Sequence, residues 1–455
     1  MNNRITLLLL LLLLVSSLFI RLPFLSVPLE RDEGVRAVIA EGMLEGGLPY
    51  RDFYTNKPPL IFFIYAFIFK TLGRTVEDIH FFMHLYTLIS ICALFILARA
   101  VSKDNLTSLV SAFFLSITTI SPKVYGNAAN LEIFMILPVM LSAIFAYKAV
   151  GKRALSFLFL SGFFAGIAFW IKQSGIFDLF FILTFVSYET LIGKDISKPL
   201  YLKAISVVLA GFAAISLVML YYFWSNNIFD DAILWIFQVG IPYVSRWHFS
   251  WRRFSVVTKP IFAENIMMYM LAVIALLNLR RKGTRIAVFL SLWSIFLVLA
   301  VLPGFRFIQH YYIQVFPPVA LLAGFGAAEV AAKIRRFRLR PLRVLSRVIV
   351  ISLIAYFPLE ANYDFIFRYS PFHISKKTYC TTYNPFVESL EIAEYIRRNT
   401  SESDPILVVG NEPQIYFYAK RKSATGHIGF FYIFQDFPLD SPLQRKAYDE
   451  IIERR

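Results

Sequence analysis

Two cysteines in 455 residues, Cys92 inside an apolar run and Cys380 far downstream, offer no disulfide framework and no Cys-x-x-Cys metal spacing. No segment repeats at a fixed period and no tract is of low complexity, which removes solenoids and disordered linkers. Acidic residues are scarce beside basic ones, 30 against 46, giving a formal net charge of +16. A nucleic-acid partner is nevertheless not expected. The basic residues fall in short clusters between apolar runs, which is the pattern of positive-inside topology signals. The first apolar segment, Ile5 to Ile20, lacks a small-residue cleavage pattern after it, so it reads as a retained signal-anchor helix with a cytoplasmic N-terminus.

What the chain does have is apolar surface. Hydrophobic residues make up 58% of it, with a mean hydropathy of +0.61, more than one soluble core could bury. The expected class is an α-helical polytopic membrane protein. Eleven runs approach the twenty or so residues that a bilayer needs: 5–22, 81–98, 106–121, 131–147, 155–171, 175–192, 201–224, 261–279, 286–302, 311–332 and 344–358. A twelfth stretch, "PLIFFIYAFIFKTLG" at 59–73, is apolar without interruption only from Leu60 to Phe69 and reads as a helix in or dipping into the interface. If it does not cross, the clusters at 148–153, 194–198, 280–285 and 333–343 all face the cytoplasm, as the positive-inside rule asks. The first loop, the loop 225–260, the turn "GFRFIQHYY" and the C-terminal tail then lie outside, in a protein of the cell (inner) membrane.

Residues 1–358 form the membrane domain on this reading, 359–383 a linker, and 384–455 a small extracytoplasmic α/β domain, with a helix in "NPFVESLEIAEYIRRNT" and a strand in "PILVVG".

The polar residues of the outer side carry the chemistry. After Asp32 and Glu33, residues Val35, Val38, Ile39, Met43 and Leu44 fall on one side of a helix and Arg36, Glu41 and Glu45 away from them, up to Gly46-Gly47. This predicts an amphipathic helix on the membrane surface with Asp32 at its N-terminus, where an anion is favoured. Capping alone would explain Asp32. However, Glu132 begins a membrane run behind Asn127 and Asn130, and a carboxylate at that depth is costly unless it has a partner or a task. Lys57 precedes Pro58-Pro59 and is therefore held extended. Arg306 stands beside His310, Tyr311 and Tyr312. Singly, each could be a snorkelling or core residue. Together they place carboxylates, cations and a histidine on one membrane face.

The segments "RDEG", "GLPYRDFYTNKPPL", "NAANLEIFM" and "FRFIQHYYIQVFPPVALL" resemble the membrane glycosyltransferases of family 39 type, related to protein O-mannosyltransferases and the bacterial aminoarabinose transferase. The resemblance implies a C-type glycosyltransferase fold with about eleven transmembrane helices and juxtamembrane helices in the first outer loop. It also implies a polyprenyl-phosphate sugar donor. Carried over, Asp32 matches the aspartate of the family's Asp-Glu motif, Glu33 its neighbour, Lys57 the lysine of Lys-Pro, and Glu132 the acidic position of the second outer loop. Asp32, Glu33 and Glu132 are thus the candidate catalytic residues. Lys57, Arg306, His310 and Tyr311 are the candidates for the donor phosphate. Asn56 stands where the aminoarabinose transferase has an acidic residue, so no metal site is expected there and no cofactor is required, although a divalent metal remains compatible. The expected activity is inverting transfer of a sugar to a hydroxyl of a glycolipid, glycan or protein acceptor. A transporter or flippase of a lipid-linked or anionic solute is the alternative, against which stand the lack of an inverted repeat and of paired broken spans.

Overall fold

The computed structural model describes residues 2–152, 154–191, 198–241, 248–379 and 384–429, with Arg445, 448–450 and Ile452. The chain is helical almost throughout: α1 (Asn3–Phe19), α2 (Arg31–Leu44), α3 (Leu60–Thr71), α4 (Val76–Ser102), α5 (Asn105–Thr118), α6 (Leu131–Lys152), α7 (Leu155–Ile171), α8 (Ile176–Leu191) and α9 (Lys198–Ser225). After a short α10 (Phe229–Ile233) come α11 (Trp251–Glu264), α12 (Ile266–Asn278), α13 (Thr284–Leu299), α14 (Phe316–Arg335), α15 (Arg340–Phe367), α16 (Pro371–Tyr379), α17 (Glu388–Asn399) and α18 (Gln414–Ala419).

Among the described residues, seven helical stretches are long and apolar enough to cross a membrane, or eight if the pair α11 and α12, bent by 86° at Asn265, counts as one. Three of the eleven runs coincide instead with the shorter apolar helices α5, α7 and α13. α6 lies deep in the bundle and α15 at its periphery, with only 6% of its apolar window covered. α3 has 12 residues and so extends about 18 Å, well short of a hydrocarbon core of roughly 30 Å. One of its faces, Ile61, Phe62, Tyr65, Ile68 and Phe69, is buried, and it packs on α2.

Two expectations change here. The helix after Asp32 does not lie open on a surface. Arg36, placed on its polar side by the sequence, is 1% exposed, and the helix is covered on both sides because the segment around α18 sits on it. A Cβ on Gly34 would meet the backbone nitrogen of Gln414 at 2.5 Å, so only glycine permits that approach. "PILVVG" forms no strand: Ile406 makes one isolated bridge to Ser423, and no strand ladder occurs among the described residues. The stretch 359–383 is largely helical, as α15 runs on to Phe367 and α16 follows. Cys380 lies outside the described residues.

Candidate active site

Helix α2 begins with a reciprocal cap two residues before the position expected. Glu30, not Asp32, is the N-cap: its carboxylate accepts from the backbone N–H groups of Asp32 and Glu33, at 2.9 and 3.1 Å, and the Glu33 carboxylate accepts from the Glu30 N–H at 3.1 Å. Asp32 is thereby released from capping, and its side chain is 41% exposed.

The same helix is bolted to the loop that leads into α6. Glu33 accepts from the Ala129 N–H at 2.6 Å and meets His80 Nε2 at 3.0 Å, while Arg36 donates to the Ala129 carbonyl and the Asn130 amide oxygen, both at 3.2 Å. The Tyr65 hydroxyl on α3 donates to the same Ala129 carbonyl at 2.9 Å. Since Glu132 lies in the first turn of α6, this network fixes α2 and the loop before α6 against each other and with them the distance between Asp32 and Glu132.

A cavity of about 250 Å³ lies between these elements. Of the sequence candidates, Asp32, Lys57, Glu132, Arg306, His310 and Tyr311 all line it. Glu33 does not: it is 1% exposed, and its bonds point to the scaffold. We expect Glu33→Ala to strand the Ala129 N–H and the His80 Nε2, which both lose the Glu33 carboxylate, at a cost of about 1–3 kcal/mol for each buried group. The check is a lowered melting temperature in detergent, with turnover per folded molecule retained at a permissive temperature.

Glu132 has the partner that its depth demands. It is ion-paired with Lys172 at the end of α7, His310 Nε2 lies 3.9 Å away, and the Lys172 ammonium sits 3.6 Å from the centre of the Tyr311 ring. Lys172 itself lines the cavity and is not among the residues the sequence singles out. Arg306 is presented by a turn in which Gly304, Phe305 and Phe307 all have positive φ, at 74°, 48° and 47°. Such backbone is unfavourable for phenylalanine and persists where the surroundings enforce it.

The charges act on one another. Burial works against the ionised form of Asp32, but Arg36, then Lys57, His310 and Arg31, outweigh it and hold its carboxyl below the ordinary aspartate value. Glu30 goes the other way: burial first, then Asp32 and Glu33, push it well above the usual carboxylate range. Lys57 is lowered to about 8, chiefly by burial and then by Lys172, Arg306 and Arg36, against the pull of Asp32. The cavity thus carries more positive charge than its carboxylates offset.

Residues 384–429 close the remaining side. Asn384, Phe386, Asn411, Ile428 and Gly429 line the cavity. Arg31, next to Asp32, donates to the Asn411 carbonyl at 2.5 Å and pairs with Glu412 at 2.6 Å, and the Leu29 N–H donates to the Tyr418 hydroxyl at 2.7 Å. Among the described residues no group of three or more His, Cys, Asp or Glu is arranged to hold a metal ion.

Residues 56–224, which include Lys57, Glu132 and Lys172, match the family of dolichyl-phosphate-mannose-protein mannosyltransferases. Among solved structures the chain is similar to ArnT from Cupriavidus metallidurans bound to undecaprenyl phosphate, at 15% identity and a TM-score of 0.67, covering 91% of this chain and 85% of that one. It is also similar to the oligosaccharyltransferase of Archaeoglobus fulgidus in the apo form, at 13% identity and a TM-score of 0.62, covering 95% of this chain and 65% of that one. A third match is the archaeal oligosaccharyltransferase AglB from Archaeoglobus fulgidus in complex with an inhibitory peptide and a dolichol-phosphate, at 13% identity and a TM-score of 0.57, covering 93% of this chain and 64% of that one.

This chain has the C-type glycosyltransferase fold.

No curated protein matches the chain by sequence. On the C-type fold, most of the residues that the sequence left unassigned have roles visible only in space. Glu30 caps, Arg36 bridges Asp32 to the second loop, and Tyr125 and Tyr379 pack on each other at 4.9 Å at the cavity wall. Arg36 had a local signal, since it stands four residues after Asp32 on the same helix face, where the two are 3.5 Å apart. Tyr379 had none, because 252 residues separate it from the Asn127 amide that donates to its hydroxyl.

Proposed function

We propose that this protein is an inverting glycosyltransferase that moves a sugar from a polyprenyl-phosphate donor to an acceptor hydroxyl on the extracytoplasmic face of the cell membrane. The observation that carries this reading is the convergence, in one cavity, of a half-exposed ionised aspartate with Lys57, Lys172 and Arg306. Undecaprenyl phosphate in the ArnT structure and dolichol-phosphate in the AglB structure are ligands of proteins with this fold, and they support a lipid phosphate as the anion for those cations.

In the proposed reaction the acceptor oxygen forms a bond to the anomeric carbon while the bond from that carbon to the phosphate oxygen breaks, so prenyl phosphate leaves with the electron pair. Asp32 takes the proton of the attacking hydroxyl. Lys57 and Arg306 meet the charge that accumulates on the leaving phosphate, assisted by His310 and Tyr311. Because a lipid monophosphate leaves readily, neither a general acid nor a metal ion is assigned. Glu132 acts by holding Lys172 in the cavity, and Glu33 by fixing the loops.

Transfer is tested with purified protein, a radiolabelled prenyl-phosphate sugar and a membrane extract as acceptor source. Release of prenyl phosphate coupled to label in a new product is the expected result. Uptake of the intact lipid-linked sugar into vesicles without bond cleavage would favour a transporter instead.

A further inference from the structure

A second, smaller cavity of about 120 Å³ adjoins the first, and Tyr125 belongs to the walls of both. Its far walls are Val256, Val257 and Pro260 of α11 and Phe365 of α15. Its polar rim carries two ammonium groups, Lys123 and Lys377.

Three features define what fits. α11 runs at 86° to α12, so it lies across the direction of that span, at the level of its end. Only 6% of the apolar window of α15 is covered by the rest of the protein, although its end at Phe365 is packed, and Val256 of α11 is 66% exposed, so the α11 wall is the side that faces the hydrocarbon of the bilayer. Among the described residues neither lysine is within ion-pair distance of a carboxylate; the oxygens of the buried Glu264 accept instead from Ser121 and Asn362, both at 2.7 Å. An apolar wall, two cations at its rim, and a wall shared with the reaction cavity at Tyr125 form a receptor for an amphiphile with an anionic head.

We propose that the acceptor is an anionic lipid, whose charged headgroup rests on Lys123 and Lys377 and whose hydroxyl passes Tyr125 to reach Asp32. This rests on the glycosyltransferase reading and names the acceptor class for it. The cations of the first cavity serve the donor phosphate. A second anionic substrate needs its own pair, and Lys123 and Lys377 supply it on the side from which a membrane lipid can arrive without leaving the bilayer.

The test uses the full chain in detergent and native mass spectrometry, with phosphatidylglycerol as anionic probe, phosphatidylcholine as neutral probe, glycerol phosphate as the headgroup without its chains, and undecaprenyl phosphate as donor-side probe. Phosphatidylglycerol is expected to be retained about tenfold better than phosphatidylcholine. Lys123→Ala/Lys377→Ala should abolish that preference while undecaprenyl phosphate binding stays unchanged, and Lys57→Ala should do the reverse. Glycerol phosphate should bind weakly; equal binding would mean a soluble anion site and overturn a lipid acceptor. An unchanged lipid preference in the double variant would overturn the site. A second measurement separates failure of this inference from failure of the parent reading: label from a radioactive donor should enter the anionic fraction of a membrane lipid extract. Label in the neutral lipid or protein fraction overturns the acceptor class but leaves the transferase reading standing. Absence of all transfer, with the double variant's binding defect present, refutes the transferase reading and with it the acceptor role.

Discussion

Asp32→Asn is expected to slow transfer by about two to four orders of magnitude, the usual cost of losing a general base, while folding stays intact. The helix cap is Glu30, so the substitution takes no oxygen from the N-terminus of α2, and Arg36 keeps its bonds to Ala129 and Asn130. Donor affinity should hold or rise, because a negative charge is removed beside Lys57. That Asp32 is held below the ordinary aspartate value has two consequences. The carboxyl is ionised at neutral pH, so the acid limb of the kcat/KM profile, which reports the free enzyme, should lie below the ordinary aspartate range. Its basicity is also low in the empty site. The donor phosphate, once bound, offsets the cations that depress it and thereby makes the aspartate a stronger base when a substrate is present. Single-turnover rates with saturating donor, measured against the melting temperature of the variant, check this. A variant that kept most of the wild-type rate would sink the assignment, and Glu30 and Glu132, the other carboxylates lining the cavity, would be examined next.

Much of this site was legible in the sequence because its residues are polar in an apolar chain, where each unexplained charge stands out. Asp32, Lys57, Glu132 and Arg306 were chosen on that ground and from the resemblance, and one cavity contains them all. What misled was local periodicity. The pattern after Asp32 reads as a surface helix because Arg36 and Glu41 fall away from its apolar side, and only tertiary structure shows that Arg36 is buried against the loop that leads into α6 and that residues near Gln414 cover the helix. Glu33 was misplaced for a related reason. Adjacent residues on a helix point about 100° apart, so of the Asp32–Glu33 pair one carboxylate turns to the cavity and the other to His80 and Ala129. The apolar β-like run "ILVV" failed as a strand because its one bridge, to Ser423, is not extended by a second pair on either side. The second cavity could not be read at all, since Lys123, Val256, Phe365 and Lys377 come from four separate parts of the chain.

Lys57→Ala and Arg306→Ala should each weaken donor use by tenfold or more, since a charge-assisted contact to a phosphate contributes about 1.5–3 kcal/mol. Both side chains reach the same cavity, and their charges are close enough for Arg306 to help lower the Lys57 ammonium. If they hold one phosphate, the double variant should lose less than the sum of the singles, because the second deletion removes a contact that the first has already loosened. Acidity gives an independent handle. Lys57 in the empty site is lowered to about 8, so raising the pH through that value neutralises it before the donor arrives, and apparent donor affinity should fall on the alkaline side. A bound phosphate favours the charged form and shifts the same group upward, so the decline should appear in kcat/KM and be weaker in kcat. Lys57→Arg keeps its charge at every accessible pH and should flatten the decline. Snorkelling to lipid headgroups, the plainer role for both cations, predicts a small change in stability with donor dependence unaltered. Donor titrations of the two singles and the double at two values of pH, one on each side of 8, separate the roles: an apparent donor affinity unchanged in all three would remove the phosphate clamp from this site.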